Sequence, residues 1–143
     1  MLPLFQDFNN GRGTPTINIR KGVVSITTVS FDLFLAESLL PLSKGIRILL
    51  ANEEQAKIQP ELNDLLQTHS TDVLMTTPTK MKSLIADNTK TDYMKQLKLI
   101  VLGGEELAVQ LVEKLRKLTS ADIYNIYGPT ETTVCDKCVC NKC

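Results

Sequence analysis

Tryptophan is absent from this chain, and the other aromatics are four phenylalanines and three tyrosines. So few flat side chains disfavour a stacking platform for single-stranded nucleic acid. An excess of either charge is missing too: 16 basic residues face 16 acidic ones. Nucleic-acid binders usually carry a basic surplus that neutralises phosphates, so no nucleic-acid partner is expected. Histidine occurs once, at His69. That solitude argues against a serine–histidine–aspartate triad and against a multi-histidine metal site. His69 lies in a polar stretch after a helical pattern and reads as a solvated helix end. No apolar run approaches the length of a membrane span, and the N-terminus shows no basic region, apolar core and cleavage site in succession. No membrane association is expected, and a cytoplasmic location is the default.

What is present is the material of one globular domain: 143 residues, 43% of them apolar, enough to bury a core. Residues 1–21 are poorly patterned. Asn9-Asn10-Gly11-Arg12-Gly13-Thr14-Pro15 is a cluster of turn formers, which predicts a loop or flexible arm. From Gly22 a regular alternation begins. Residues 23–29 are rich in β-branched side chains and predict a strand. Residues 31–40 predict a largely buried helix that Pro41 ends or bends. A second strand is predicted over 46–50. Asn52-Glu53-Glu54-Gln55 has the form of a capping box, and Pro60 suits the first turn of a helix carrying Leu62, Leu65 and Leu66. A strand over 72–75 leads to Thr77-Pro78, a cap followed by proline at the first helical position. A strand over 98–102 ends in Gly103-Gly104. A helix over 105–118 aligns Leu107, Leu111, Leu115 and Leu118. The last strand spans 122–127. This order predicts an α/β, flavodoxin-like layered fold: a mostly parallel five-stranded sheet with helices on both faces and right-handed crossovers.

In such sheets ligands bind beyond the carboxyl ends of the strands. The residues with chemistry collect there: Ser30-Phe31-Asp32, Met75-Thr76-Thr77-Pro78, Gly103-Gly104-Glu105-Glu106 and Asn125-Ile126-Tyr127-Gly128-Pro129-Thr130-Glu131-Thr132-Thr133. In the last of these an aromatic ring can stack on a base, a hydroxyl can bond a phosphate, and a carboxylate can hold magnesium, which prefers oxygen ligands. Taken singly, each segment is also an ordinary turn. Four such loops on one rim favour a single site.

Together these segments resemble the adenylation domains of nonribosomal peptide synthetases, within the superfamily of adenylate-forming acyl and aminoacyl ligases. The resemblance rests on Thr27-Thr28-Val29-Ser30-Phe31-Asp32, Thr77-Pro78-Thr79, Leu102-Gly103-Gly104-Glu105-Glu106-Leu107 and Tyr124 to Val134, in order over roughly residues 22–135. It implies an adenylation-type subdomain over 22–134. Such enzymes convert an amino acid and ATP, with magnesium, into an aminoacyl-adenylate and pyrophosphate. The acyl group then passes to the phosphopantetheine thiol of a carrier protein. In-line displacement at phosphorus needs positioned reactants and neutralised charge more than a protein nucleophile.

The resemblance also implies residue roles. Asp32 would pair with the α-ammonium of the amino acid, although the residue taken alone suits a helix N-cap better. Tyr127 would lie against adenine and Asn125 would bond its amino edge. Thr130 would contact the α-phosphate and Glu131 would hold magnesium. Gly103 and Gly104, lacking a Cβ, would let the backbone approach substrate and nucleotide. Leu33, Ala36, Met75, Val101, Gly103, Ile126, Val134 and Cys135 would surround the substrate side chain. Singly each is a core residue. As a set they hold no charge and no strong hydrogen-bonding group, so the expected substrate is an apolar amino acid.

The family's Ser/Thr/Gly-rich phosphate loop has no match upstream of the first strand. The ribose-binding aspartate and catalytic lysine expected downstream are not matched either. The expectation is a central, substrate-recognising subdomain fragment that does not catalyse adenylation by itself. Residues 135–143 form a Cys-rich tail, Cys135-Asp136-Lys137-Cys138-Val139-Cys140-Asn141-Lys142-Cys143. Four thiolates can hold zinc or an iron–sulfur cluster, but this spacing is tighter than in common zinc modules. An aberrant terminus is the preferred reading. A reading from a different class is a non-catalytic, flavodoxin-like binding or interaction module with a metal-binding tail.

Overall fold

The computed structural model describes residues 19–27, 33–86 and 90–126, with Leu33 described in its backbone only. The elements are β1 (Val23–Ser25), α1 (Leu33–Glu37), α2 (Leu39–Ser43), β2 (Ile48–Leu50), α3 (Glu53–Lys57), α4 (Gln59–Thr68), β3 (Val73–Thr76), α5 (Pro78–Leu84), a 3-10 turn (Asp92–Gln96), β4 (Leu99–Gly103), α6 (Val109–Leu118) and β5 (Asp122–Ile126). The strands form one sheet in the order β2-β1-β3-β4-β5. Every pairing is parallel. The expected α/β layered fold is therefore present, in the doubly wound order whose switch point lies between β1 and β3.

Both sheet faces are buried, as parallel sheets require. On one face Val24, Leu74, Ile100, Leu102 and Ile123 meet Leu62 and Leu66 of α4, Met81 and Leu84 of α5, and Leu111 and Leu115 of α6. On the other, Val23, Val73, Met75, Leu99 and Val101 meet Ala36 of α1, with Leu40 and Ile46 packed alongside. Each fully buried aliphatic side chain of this kind contributes about 2 kcal/mol. The strands consequently read as continuous apolar runs in sequence.

Local signals place several helices as the sequence predicts. The Asn52 side chain accepts from the Gln55 N–H at 2.8 Å, and the Gln55 side chain accepts from the Asn52 N–H at 3.0 Å, completing the capping box. Pro60 falls in the first turn of α4, and the Thr77 hydroxyl accepts from the Lys80 N–H at the start of α5. His69 caps the end of α4 and is exposed.

Three expectations are corrected. The first strand stops at Ser25, because the N–H groups of Ile26 and Thr27 turn to a side-chain carboxylate instead of a neighbouring strand. The predicted single helix over 31–40 is two short helices, α1 and α2. Pro41 lies inside α2 rather than ending a helix. It has no N–H to extend α1 and is tolerated in a first turn, so the chain breaks at Ser38 and restarts. That region is also not largely buried, since Leu35 is 50% exposed and Leu39 58%. Finally, α6 begins at Val109 rather than 105. Gly104 takes φ +79°, a left-handed conformation that delays helix entry.

Candidate functional site

The described rim is built from the carboxyl ends of β1, β3, β4 and β5. Strand register decides which side chains share a face. Met75 lies beside Val101, Val101 beside Tyr124, and Gly103 beside Ile126. Met75 and Val101 are buried in one cluster with Ala36, and Ile126 packs against that cluster. Three of the residues expected around the substrate side chain thus share one sheet face, and a fourth, Ala36 of α1, packs over it. Gly103 ends the strand between them, and a Cβ there would meet the Ile126 carbonyl oxygen at 3.3 Å. Leu33 opens α1.

Side chains alternate across a strand, so Asn125 lies on the opposite face, beside Leu102 in register. Thr76 flanks Leu102 from β3. The Asn125 Oδ1 and Thr76 Oγ1 atoms are buried without a hydrogen-bond partner among the described residues. A buried acceptor left open is costly, and the Asn125 oxygen suits an incoming N–H donor. The Gly104 N–H donates to the Ile126 carbonyl at 3.3 Å, holding the glycine pair against the end of β5.

Two carboxylates organise this rim; from the sequence Glu37 carries no assigned role, and Glu105 figures only as part of the Gly103-Gly104-Glu105-Glu106 segment. The Glu37 carboxylate is fully buried. One oxygen accepts from the N–H groups of Ile26 and Thr27, each at 2.9 Å, and the other from the Thr27 hydroxyl at 2.6 Å. Burial pushes its pKa above the ordinary glutamate value, with the Thr27 and Ile26 bonds opposing. A lone carboxylate inside Phe34-Leu35-Ala36-Glu37-Ser38-Leu39 was the available signal. The second is Glu105. It accepts from the Thr79 N–H at 2.9 Å and the Thr79 hydroxyl at 2.5 Å. The Thr79 hydroxyl holds its pKa below the usual value. Both motifs were visible in sequence, but their contact was not.

Asp32, Tyr127, Thr130, Glu131, Val134, Cys135 and the cysteine tail lie outside the described residues. Among the described residues no group of His, Cys, Asp and Glu could hold a metal ion. None of their helices is long and apolar enough to cross a membrane.

Comparison with known proteins bears on the family and the fold. A family profile described as AMP-binding enzyme matches residues 6–142. A dimodular nonribosomal peptide synthase of Bacillus subtilis is 31% identical over 112 residues, covering 78% of this chain and 4% of that protein. Tyrocidine synthase 3 of Brevibacillus parabrevis is 32% identical over 106 residues, covering 73% of this chain and 2% of that protein. The chain therefore spans a small part of the length of these relatives. Among solved structures, the Vibrio cholerae adenylation domain AlmE, in complex with glycyl-adenosine-5'-phosphate, superposes with a TM-score of 0.71 at 23% identity. That match covers 84% of this chain and 22% of the other. A nonribosomal peptide synthetase in an AMPPNP-bound form gives a TM-score of 0.75 at 15% identity, over 89% of this chain and 14% of the other. The structural likenesses carry the fold and the sequence match carries the kinship: this chain belongs to the AMP-binding enzyme family, as adenylation-domain sequence of the nonribosomal peptide synthetase type.

Proposed function

We propose that the chain is the amino-acid-recognising subdomain of an ATP-dependent adenylating enzyme. In the whole reaction, an amino acid carboxylate attacks the α-phosphate of ATP, releasing pyrophosphate and leaving an aminoacyl-adenylate. A carrier-protein phosphopantetheine thiol then takes the acyl group. The observation that carries this reading is the division of labour across the rim. Ala36, Met75, Val101 and Ile126 share the apolar face, while Asn125 presents an open acceptor on the other.

In this reading the apolar cluster receives the amino-acid side chain. Leu33, Val134 and Cys135 complete it, and Asp32 pairs with the ammonium, since a carboxylate is the natural partner of a cation lifted out of water. The Asn125 oxygen accepts from the adenine amino group and Tyr127 covers the base. Gly103 and Gly104 leave room for the bound backbone. Thr130 bonds the α-phosphate, and Glu131 holds the magnesium that accompanies ATP. Bound magnesium would neutralise phosphate charge as the displacement proceeds. None of the residues proposed to line the side-chain site carries a charge, so an apolar amino acid is the proposed substrate.

Binding of aminoacyl sulfamoyl-adenosines to the purified chain tests recognition by calorimetry. Leucyl and phenylalanyl analogues are expected to bind more tightly than aspartyl or lysyl ones. A preference for a charged group overturns the apolar assignment. Adenylation by the 143 residues alone is not expected, because no phosphate-gripping loop is recognisable in them. Robust amino-acid-dependent pyrophosphate exchange by the chain would refute that.

A further inference from the structure

We propose that Glu37 is a positioning residue for amino-acid recognition: its carboxylate ties the exit of β1 to α1 and so fixes the apolar wall that Ala36 forms with Met75 and Val101. This rests on the functional reading above.

Among the described residues, little apolar packing holds α1. The helix has five residues, too few to be stable alone. The chain breaks again at Ser38 before α2. Among its described side chains Leu35 is half exposed, Phe34 is partly buried, and Ala36, a single methyl, is the apolar one buried fully. Beside that packing stand three hydrogen bonds that one carboxylate accepts from Ile26 and Thr27. A buried charge is retained at a desolvation cost, and here it occupies two backbone donors that would otherwise be orphaned. Glu37 adjoins Ala36, and Asp32 immediately precedes α1 in sequence. One tethered element therefore carries a wall residue and leads directly from the expected ammonium partner.

The consequence is selective. Gly104 and Asn125 follow or lie on β4 and β5, and β3 separates both strands from β1. Loosening α1 should disturb the amino-acid side of the rim and leave the nucleotide side in place. Glutamine can replace the carboxylate: its oxygen accepts both N–H groups, and its amide donates to a reoriented Thr27 hydroxyl. Alanine cannot.

The test compares wild type, Glu37→Gln, Glu37→Ala and Thr27→Val in the full 143-residue chain. The probes are leucyl and phenylalanyl sulfamoyl-adenosine, and AMP alone. Glu37→Ala is expected to weaken the aminoacyl probes about tenfold or more while AMP affinity stays within about twofold. Glu37→Gln should restore both, and Thr27→Val, which removes only the hydroxyl, should fall between. Amide exchange at Ile26 and Thr27 should accelerate in Glu37→Ala and not in Glu37→Gln. Should Glu37→Ala fail to fold, Thr27→Val decides by the same split. Equal loss of both probes, or a Gln variant that behaves like Ala, overturns the positioning role and leaves the functional reading standing. A wild-type chain that binds none of the probes overturns the functional reading and this role with it, while the exchange data still show whether the clamp exists.

Discussion

Glu105 reaches from the loop after β4 to Thr79 in the first turn of α5, and accepts from both its N–H and its hydroxyl. With the Gly104 N–H held by the Ile126 carbonyl, this contact binds the ends of β3, β4 and β5 into one rim. The glycine pair is thus fixed from both sides by hydrogen bonds rather than by side-chain packing.

Replacing Glu105 with alanine is expected to loosen that rim without unfolding the sheet. The carboxylate is largely solvent-facing, so stability should fall by about 1 kcal/mol or less. Hydrogen exchange should accelerate at Gly104 and Thr79 while the amides of β3 stay protected. Unchanged exchange at both positions would contradict the linkage.

Asp72 ties the opposite end of the sheet. It is fully buried, accepts from the N–H groups of Arg20 and Lys21, each at 2.5 Å, and pairs with the Lys98 ammonium at 3.2 Å. Burial raises its pKa, but the Lys21 and Arg20 bonds and the Lys98 charge outweigh that, and the net shift is downward. A depressed folded pKa adds stability above the unfolded value, which is lost as pH falls through the folded one. Chemical denaturation below about pH 4 should therefore show a loss in wild type that Asp72→Asn lacks. At neutral pH Asp72→Ala should cost about 3 kcal/mol, since it removes the buried carboxylate that accepts from two backbone donors and pairs with Lys98.

Glu37 should behave oppositely. Its folded pKa is raised, chiefly by burial, against the opposing bonds from Thr27 and Ile26. With a raised pKa the folded state binds the extra proton, so this contribution is present below the unfolded pKa and lost as pH rises through the folded value. Denaturant midpoints of Glu37→Gln should therefore gain on wild type as pH climbs from about 4. A constant difference across that window would show that the carboxylate's pKa does not change on folding.

Gly22→Ala should be among the costliest single changes. Gly22 has φ +114°, and a Cβ there would sit 2.4 Å from the Arg47 carbonyl oxygen. The Gly22 carbonyl also accepts from the Asp72 and Val73 N–H groups, so the backbone cannot move away freely. A loss of about 3 kcal/mol is expected from thermal or urea unfolding. A loss under about 0.5 kcal/mol would mean that the loop carrying Arg47 yields.

The sequence by itself determined the layered fold, because buried parallel strands and amphipathic helices leave different periodicities. Val73 to Thr76 and Leu99 to Gly103 are legible as strands, and the cap residues Asn52 and Thr77 as helix starts, since those signals act within a few residues. The rim motifs were legible as well. Tertiary structure decided what depends on distant contacts. Register put Met75, Val101 and Ile126 on one face and Asn125 on the other. The Glu37 carboxylate ended β1 at Ser25 by taking the N–H groups of Ile26 and Thr27, and with Pro41 the expected single helix became two. A side chain competing for backbone donors across a loop leaves no periodic trace, so only the folded chain shows which donors it takes.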